Sequence, residues 1–206
     1  MITENSTTGS NISAILLAAG LSSRMGRPKL LLPWGETTVL GQVVGTFAAA
    51  GLKDLVIVTG AVREEIEGKA AELAKEFPVR CVYNPDYEHG GMLSSIQVGL
   101  TAMRSQTKAA LIALGDQPQV LEETVRGICD SYIRTNSSLV IPSFQNQRGH
   151  PWLAARDLWA SILKLPSTST SKQFLNAYTG HVEYISAGPS ILQDLDTPSE
   201  YERLRP

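Results

Sequence analysis

Short apolar runs rich in β-branched residues alternate with longer amphipathic segments along most of this chain. Strand-like runs are predicted at residues 12–18, 55–59, 80–83, 109–114 and 138–141. Apolar residues at helical spacing occupy the intervals between them, at residues 39–50, 63–77, 93–105 and 122–136. Such alternation favours parallel strands joined by crossover helices. The pattern therefore predicts an α/β fold with a doubly wound, mostly parallel sheet.

The two ends of the chain differ from this central pattern. Residues 1–11 are polar and rich in Thr and Ser, so we expect a disordered N-terminal tail. Near the C-terminus, Thr197, Pro198 and Glu200 form a capping-box pattern that opens a short helix. No linker or repeat divides the remainder, and residues 12–206 are expected to form a single domain.

Composition narrows the function classes. The 206 residues carry a net charge of −2, with 43% hydrophobic and 18% charged residues. No broad basic surface for nucleic acid or membrane lipid is expected, and no segment approaches the roughly 18 apolar residues of a membrane helix. Without a signal-peptide pattern, the chain is expected to be cytoplasmic. Cys81 and Cys129 lie in apolar stretches and are interpreted as reduced core thiols, with a disulfide or metal site as the alternative.

A glycine-containing loop follows the first predicted strand. Five residues separate Gly20 from Gly26, and the cations Arg24 and Lys29 lie within or just after that interval. The spacing excludes a P-loop and a dinucleotide-binding fingerprint. Backbone N–H groups and two cationic side chains can nevertheless hold a triphosphate. Because ligands of parallel sheets bind at the carboxyl ends of the strands, the loops at 20–29, 84–92 and 115–118 are predicted to open on one edge.

Four sequence blocks in order resemble the MobA-like nucleotidyltransferases, and within them most of all the molybdenum cofactor cytidylyltransferases. The blocks are Leu-Ala-Ala-Gly-x-Ser-x-Arg-Met-Gly-x-x-Lys, Gly-Asp-Gln-Pro, Arg-Gly-His-Pro and Asp-Leu-Asp-Thr-Pro, beginning at residues 17, 115, 148 and 194. The resemblance implies a Rossmann-like, GT-A-like nucleotidyltransferase fold. It also implies Mg²⁺-dependent transfer of CMP from CTP to the terminal phosphate of molybdenum cofactor, releasing pyrophosphate and giving molybdopterin cytosine dinucleotide. A molybdoenzyme client is a possible partner.

The resemblance assigns the nucleotide to the first loop. The nucleotide-binding residues implied are Leu17, Ala18, Ala19, Gly20, Arg24 and Lys29. The fork of Arg24 and the mobile charge of Lys29 suit phosphate oxygens, so both are candidate catalytic residues. A third cation, Arg27, is left open between a phosphate contact and a solvated side chain.

Asp116 follows the apolar run 109–114 and is the principal candidate metal ligand, since Mg²⁺ is held by one or two carboxylates together with phosphates. It is also counted as catalytic. Asp196 is the second candidate by resemblance, although residue alternation places Asp194 on the same side and does not separate the two.

The acceptor is assigned by resemblance to two other segments. The residues implied are Gly90, Gly91, Ser94, Ser95 and His150. The glycines allow close backbone approach, and the serines at a helix N-terminus suit a phosphate. A turn with N-capping serines explains the same residues without a ligand. The histidine is expected to orient the acceptor, or else to be a structural residue.

Several alternative functions stay open. They are guanylyl transfer to the same cofactor, transfer to another phosphorylated acceptor such as a sugar 1-phosphate, and a non-catalytic cofactor carrier. In the family, Ala at the position of Ala19 accompanies cytidylyl transfer and Gly accompanies guanylyl transfer, whereas Leu17 departs from the Thr that often opens the cytidylyl pattern. We hypothesise that Ala19→Gly relaxes selectivity toward GTP. An unchanged CTP/GTP ratio of kcat/KM would contradict this.

Overall fold

The computed structural model describes residues 11–206. The predicted N-terminal tail therefore lies outside the described residues, apart from Asn11, which is an exposed turn residue. The strands are β1 (Ile12–Ala18), β2 (Pro33–Trp34), β3 (Thr37–Thr38), β4 (Leu55–Thr59), β5 (Val79–Tyr83), β6 (Ala109–Leu114), β7 (Leu139–Phe144), β8 (Gln147–Arg148), β9 (Trp152–Ala155) and β10 (Val182–Ser186). The α-helices are α1 (Val39–Ala49), α2 (Arg63–Leu73), α3 (Gly91–Thr101), α4 (Glu122–Thr135), α5 (Arg156–Leu163), α6 (Ser171–Ala177) and α7 (Pro198–Leu204).

Eight of these strands form one mostly parallel sheet in the order β10-β7-β9-β6-β1-β4-β5, with β8 paired to the edge of β7. Strand β1 lies at its centre and pairs in parallel with both β4 and β6. Its residues are buried almost throughout because the sheet is covered on both faces. The predicted mostly parallel α/β sheet is confirmed.

Two apolar clusters fill the space between the sheet and its helices. One cluster contains side chains of α1, α2, α4 and α7 packed on one face of β1, and the other contains α3 and α5 packed on the opposite face. Alternate residues of β1 enter alternate clusters, with Leu16 in the first and Ile15 in the second. This two-sided cover is the doubly wound arrangement that the strand–helix alternation predicts.

The structure departs from the prediction mainly after residue 142. Strand β9 is inserted antiparallel between β6 and β7, and the further strand β10 pairs in parallel with β7. The predicted helix at 63–77 ends at Leu73, where separate turns bring the chain to Phe77, and the predicted helix at 93–105 instead spans Gly91–Thr101. Short strands in a segment rich in Ser, Thr and Pro lack the periodicity on which the prediction rests.

Two further features of the described residues bear on the sequence predictions. Both cysteines are free thiols, and burial raises the pKa of Cys81 to about 11 and of Cys129 to about 12. Both are therefore neutral near neutral pH. Among the described helices, none combines the length and the apolar character needed to cross a membrane.

Candidate active site

The predicted loops after β1, β5 and β6 meet at the carboxyl edge of the sheet. They enclose a cavity of about 390 Å³ together with the segment that precedes α7. Its lining includes Leu17, Ala18, Ala19, Gly20, Lys29, Gly91, Ser95, Asp116, Asp194 and Asp196. Parallel packing thus brings together residues that lie far apart in the sequence.

The loop after β1 is shaped by two residues in the left-handed region. Ser22 has φ 50° and Gly26 has φ 65°, and they flank a short 3₁₀ turn over Ser23–Met25. Buried Met25 and Leu30 anchor the loop to the core on either side of Gly26. A glycine is favoured at this positive φ, because other residues adopt it only with strain. The loop is therefore fixed at its base while Arg24 extends outward.

Gly60 sets the position of the Ala19 peptide. The N–H of Ala61 donates to the carbonyl oxygen of Ala19 at 3.2 Å, which ties the end of β4 to the first loop. A Cβ atom at Gly60 would stand only 2.5 Å from that oxygen and 2.7 Å from the Ala19 methyl group. Such distances require one of the two loops to move. The absence of a side chain at Gly60 is what permits their close approach.

Lys29 joins the two candidate metal-binding carboxylates. Its Nζ atom lies in close contact with Oδ2 of Asp116 and 2.9 Å from Oδ1 of Asp196. The side chains of Lys29 and Asp116 are only 15% and 16% exposed. Arg24 completes the cluster, with Nη2 2.9 Å from Oδ2 of Asp196. Two cations and two carboxylates therefore form one connected group at the cavity wall.

The pKa values of this group follow from its contacts. Burial by itself would lower the pKa of Lys29, but attraction to Asp116 and hydrogen bonds to both carboxylates outweigh it and raise that pKa. The hydrogen bond from Lys29 lowers the pKa of Asp196 despite partial burial. Both groups are therefore held in their charged forms at neutral pH.

Asp194 lies beside this group but has a different environment. Its Oδ1 atom accepts a hydrogen bond of 2.7 Å from Nε2 of Gln117. Burial, followed by the nearby charge of Asp116, raises the pKa of Asp194. Both Asp194 and Asp196 line the cavity, although neither lies in a strand. Only Asp196 shares the Lys29 ammonium with Asp116, which favours it as the second ligand.

The predicted acceptor residues are brought together only in part. Gly91 and Ser95 line the cavity, whereas Gly90 and Ser94 do not. The amide of Asn84 donates to the hydroxyls of Ser94 and Ser95 at 2.8 and 3.0 Å, and Ser94 also donates to the carbonyl oxygen of Gly91. These bonds fix the turn into α3. Binding of an acceptor phosphate by Gly91 and Ser95 stays a prediction.

His150 lies outside the cavity lining. It precedes a cis peptide bond to Pro151, and its N–H donates to the carbonyl oxygen of Ile191 at 3.1 Å. Burial lowers the pKa of the imidazole to about 4, so the ring is neutral at neutral pH. Its Nε2 atom is buried with no hydrogen-bond partner among the described residues. A role in orienting the acceptor remains a prediction for this residue.

Four positions at the candidate site were not singled out by sequence reasoning. Tyr87 and Met92 line the cavity, Gln117 holds Asp194, and Gly60 permits the approach of the first loop. Three of them fall inside segments quoted for other residues, so the segment was found without the individual role. For Gly60, its position directly after a predicted strand was the available signal.

A wider groove of about 920 Å³ lies elsewhere, between α1, α2 and α4. Its charged lining is mainly acidic, including Glu36, Glu72 and Glu122, and its Lys69 is paired with Glu72. An anionic triphosphate would be repelled there. The smaller cavity at the carboxyl edge is therefore the better site for a nucleotide.

The donor set of the cavity suits a divalent cation that prefers oxygen ligands. Asp116 and Asp196 both reach one point, the Nζ atom of Lys29, so their oxygens are close enough to share a cation. Hard cations such as Mg²⁺ take one or two such carboxylates together with phosphate oxygens and water. In the described part of the chain, no group of three or more His, Cys, Asp or Glu residues is arranged to hold a metal by itself. A cation at this pair would need further oxygen ligands, such as phosphate or water.

Comparison with known proteins identifies the family. The MobA-like NTP transferase domain matches residues 14–182. The chain belongs to this family. It is therefore a member of a nucleotidyltransferase family, with the 20–29 loop, Asp116 and most of the sheet inside the matched region.

Two curated relatives match along nearly their whole length. The molybdenum cofactor cytidylyltransferase of Escherichia coli is 28% identical over 93% of this chain and 94% of its own. The nicotine blue oxidoreductase of Paenarthrobacter nicotinovorans is 31% identical over 94% of this chain and 96% of its own. Relatives of similar distance thus carry names for two different kinds of reaction.

Solved structures agree with the fold. Rv0371c from Mycobacterium tuberculosis superposes with a TM-score of 0.81 at 26% identity, covering 94% of this chain and 97% of that one. A structure of the same protein in complex with manganese gives a TM-score of 0.77 at 25% identity, over 95% and 98% of the two chains.

Proposed function

We propose that this nucleotidyltransferase moves CMP from CTP to the terminal phosphate of molybdenum cofactor, giving molybdopterin cytosine dinucleotide and pyrophosphate. The observation that carries the proposal is the joining of Lys29, Asp116 and Asp196 at the wall of a cavity whose other side is the 17–20 loop. The cytidylyltransferase name of the Escherichia coli relative supports the choice of substrates. Cytoplasmic location, a single domain and a molybdoenzyme client are parts of the same proposal.

In this reaction an oxygen of the acceptor phosphate attacks the α-phosphorus of CTP. The bond from that phosphorus to the oxygen bridging the α- and β-phosphates breaks, and pyrophosphate leaves with the electron pair. Lys29 and Arg24 offset the negative charge that develops on the phosphates. The acceptor phosphate is already ionised near neutral pH, so positioning and electrostatics are sufficient and no covalent enzyme intermediate is required.

Asp116 and Asp196 would hold a divalent cation, proposed as Mg²⁺, which supplies charge neutralisation at the phosphates when bound. The fit of the two carboxylates around one point supports this assignment. The manganese complex of Rv0371c supports a divalent ion in a protein of this fold and sequence similarity.

The test is pyrophosphate release with Mg²⁺ and each of CTP, GTP, ATP and UTP, with and without molybdenum cofactor. We expect cofactor-dependent release with CTP and loss of at least about 100-fold in kcat for Asp116→Asn. Asp130→Asn, an exposed carboxylate on α4, is the matched control and should retain activity. Silence with every nucleotide and an active cofactor preparation would defeat the proposal, and release with GTP alone would replace its donor.

A second candidate function is oxidoreduction, favoured by the 31% identity to nicotine blue oxidoreductase. With NADH or NADPH as the probe reductant, it predicts oxidation of that reductant when a dye acceptor is present. Measurement of NADH and NADPH absorbance under the same conditions distinguishes it from nucleotidyl transfer. The paired carboxylates at the cavity argue for the first candidate, because hydride transfer requires no divalent cation.

A further inference from the structure

The cations of this site occupy the carboxylate oxygens that a metal would need. Lys29 contacts Oδ2 of Asp116 and Oδ1 of Asp196, and Arg24 contacts the remaining oxygen of Asp196. Three of the four carboxylate oxygens thus have a partner within the chain. A divalent cation that binds through the same lone pairs must displace the Lys29 ammonium.

Charge leads to the same conclusion. Two carboxylates and two cations leave the group formed by Asp116, Asp196, Lys29 and Arg24 without net charge. Even with Asp194, the one further carboxyl group of the cavity lining, these cations leave the site with a much weaker attraction for a free divalent cation than the carboxylates alone would have. A triphosphate is strongly anionic, however, and offers the ammonium a better partner than either carboxylate.

The side chain of Lys29 can exchange these partners while its backbone stays in place. The backbone N–H of Lys29 donates to the hydroxyl of Ser22 at 3.4 Å. Lys29 is also the first residue of the 3₁₀ turn Lys29–Leu31, in which Leu30 is buried. The backbone is thus fixed, while the four-carbon stem of lysine can swing its charge over several ångströms. The cavity into which the stem would swing adjoins the 17–20 loop.

We propose that Lys29 is an internal counter-ion, which closes the Asp116–Asp196 pair until a nucleoside triphosphate draws it away and a divalent cation enters with the nucleotide. This inference rests on the nucleotide site of the proposed function. By linkage, the nucleotide and the cation then bind cooperatively, each raising the affinity for the other by the same factor. Lys29 serves as a positioning residue for the carboxylate pair in addition to its contact with phosphate.

The test is a titration of the full chain with Mn²⁺, in which the electron paramagnetic resonance signal reports the concentration of free Mn²⁺. Without nucleotide, Lys29→Met should bind Mn²⁺ about tenfold more tightly than the wild type, a factor typical of coupled sites. Arg24→Met removes the same charge but frees only Asp196, so its gain should be smaller. Lys69→Met, which breaks only a surface pair with Glu72, should leave the affinity unchanged.

Two further measurements show where the Mn²⁺ binds. Asp116→Asn combined with Lys29→Met should abolish the gain, which shows that the cation binds at this pair. The non-hydrolysable analogue α,β-methylene-CTP should tighten Mn²⁺ binding more in the wild type than in Lys29→Met. If Lys29→Met loses its native circular dichroism spectrum, Lys29→Gln takes its place.

Wild-type affinity in the lysine variant, or no measurable Mn²⁺ binding by it, would overturn the inference. The nucleotide-free titration involves no acceptor and no turnover, so its outcome is independent of the proposed reaction. A tighter site in a protein that never releases pyrophosphate would refute the proposed function alone. Active enzyme with an unchanged Mn²⁺ affinity in Lys29→Met would refute this inference alone.

Discussion

At the scale of single residues, small differences in side-chain size and charge shape the cavity. Lys29 shares one ammonium between two carboxylates, and Gly60 leaves room for the carbonyl oxygen of Ala19. Neither effect depends on how the apolar core is packed. Both can be tested by single substitutions that leave the sheet intact.

Gly60→Ala should displace the first loop, because the added Cβ would lie 2.5 Å from the backbone oxygen of Ala19. We expect kcat/KM for CTP to fall roughly 10- to 100-fold, as for a displacement of about 1 Å in a positioned site. Steady-state kinetics and circular dichroism provide the measurement. Gly68→Ala is the control, since that glycine is exposed on α2 with no atom near its Cβ position, and its activity should be unchanged. Equal activity of the two variants would contradict the role given to Gly60.

At the scale of elements, helix α7 holds a part of the candidate site in place. The side chain of Glu200 accepts from the N–H of Thr197 at 2.8 Å and from the N–H of Asp196 at 3.1 Å. The capping box of α7, predicted from the sequence, is present. It therefore fixes the backbone that carries a candidate metal ligand.

Thr197→Ala should weaken this cap by about 1 kcal/mol and loosen Asp196, so that kcat/KM falls several-fold. Thr170→Ala removes the matching capping box of α6 and is the control. Both variants are expected to lose similar stability in urea unfolding. Only Thr197→Ala should lose more activity than its unfolded fraction accounts for. Equal losses of activity in the two variants would contradict the positioning role of α7.

The amino-terminal edge of the sheet is joined by a buried ion pair. Asp54, immediately before β4, accepts two hydrogen bonds from Arg80 on β5, at 2.9 and 3.1 Å, and one from Ser13 on β1 at 3.0 Å. Burial opposes the charge of Asp54, but these donors outweigh it and lower its pKa. Three neighbouring strands are thereby tied together at the edge remote from the cavity.

Asp54→Asn should destabilise the chain by about 3 kcal/mol, at the lower end for a broken buried pair because Arg80 keeps some access to water. Since the folded pKa is depressed, the contribution of Asp54 is fully present above about pH 4 and is lost as the pH falls through the folded value. In urea titrations the stability difference between wild type and variant should thus stay constant from pH 6 down to about pH 5 and shrink only as the pH falls below about 4. Glu72→Gln, at an exposed pair, should leave the midpoint unchanged. A difference that is independent of pH would contradict the assigned charge.

At the scale of the whole molecule, the sequence predicted the parts that depend on local periodicity. The bounds of β1, β4 and β6 agree with the prediction, because each is a predominantly apolar run buried on both faces. Their carboxyl ends placed the loops on one edge by topology alone. The antiparallel insertion of β9 was not predictable, since its pairing with β6 and β7 is decided by contacts distant in sequence.

The site shows the same division. The sequence identified Lys29, Asp116 and Asp196, but the sharing of one ammonium between the two carboxylates required the three-dimensional structure. It likewise pointed to Ser94 without showing that Asn84 and Gly91 engage its hydroxyl. Residue type, spacing and the family resemblance thus predicted the site residues, while the partners of each group depended on packing.

The most direct test of the proposed nucleotidyl transfer follows the phosphorus atoms of CTP. The protein is incubated with Mg²⁺, molybdenum cofactor and CTP that carries ³²P at either the α- or the γ-position, and the products are separated. Nucleotidyl transfer predicts that the α-label appears in the cofactor product and the γ-label in pyrophosphate. Transfer of the γ-label to the cofactor, or of neither label, would contradict it.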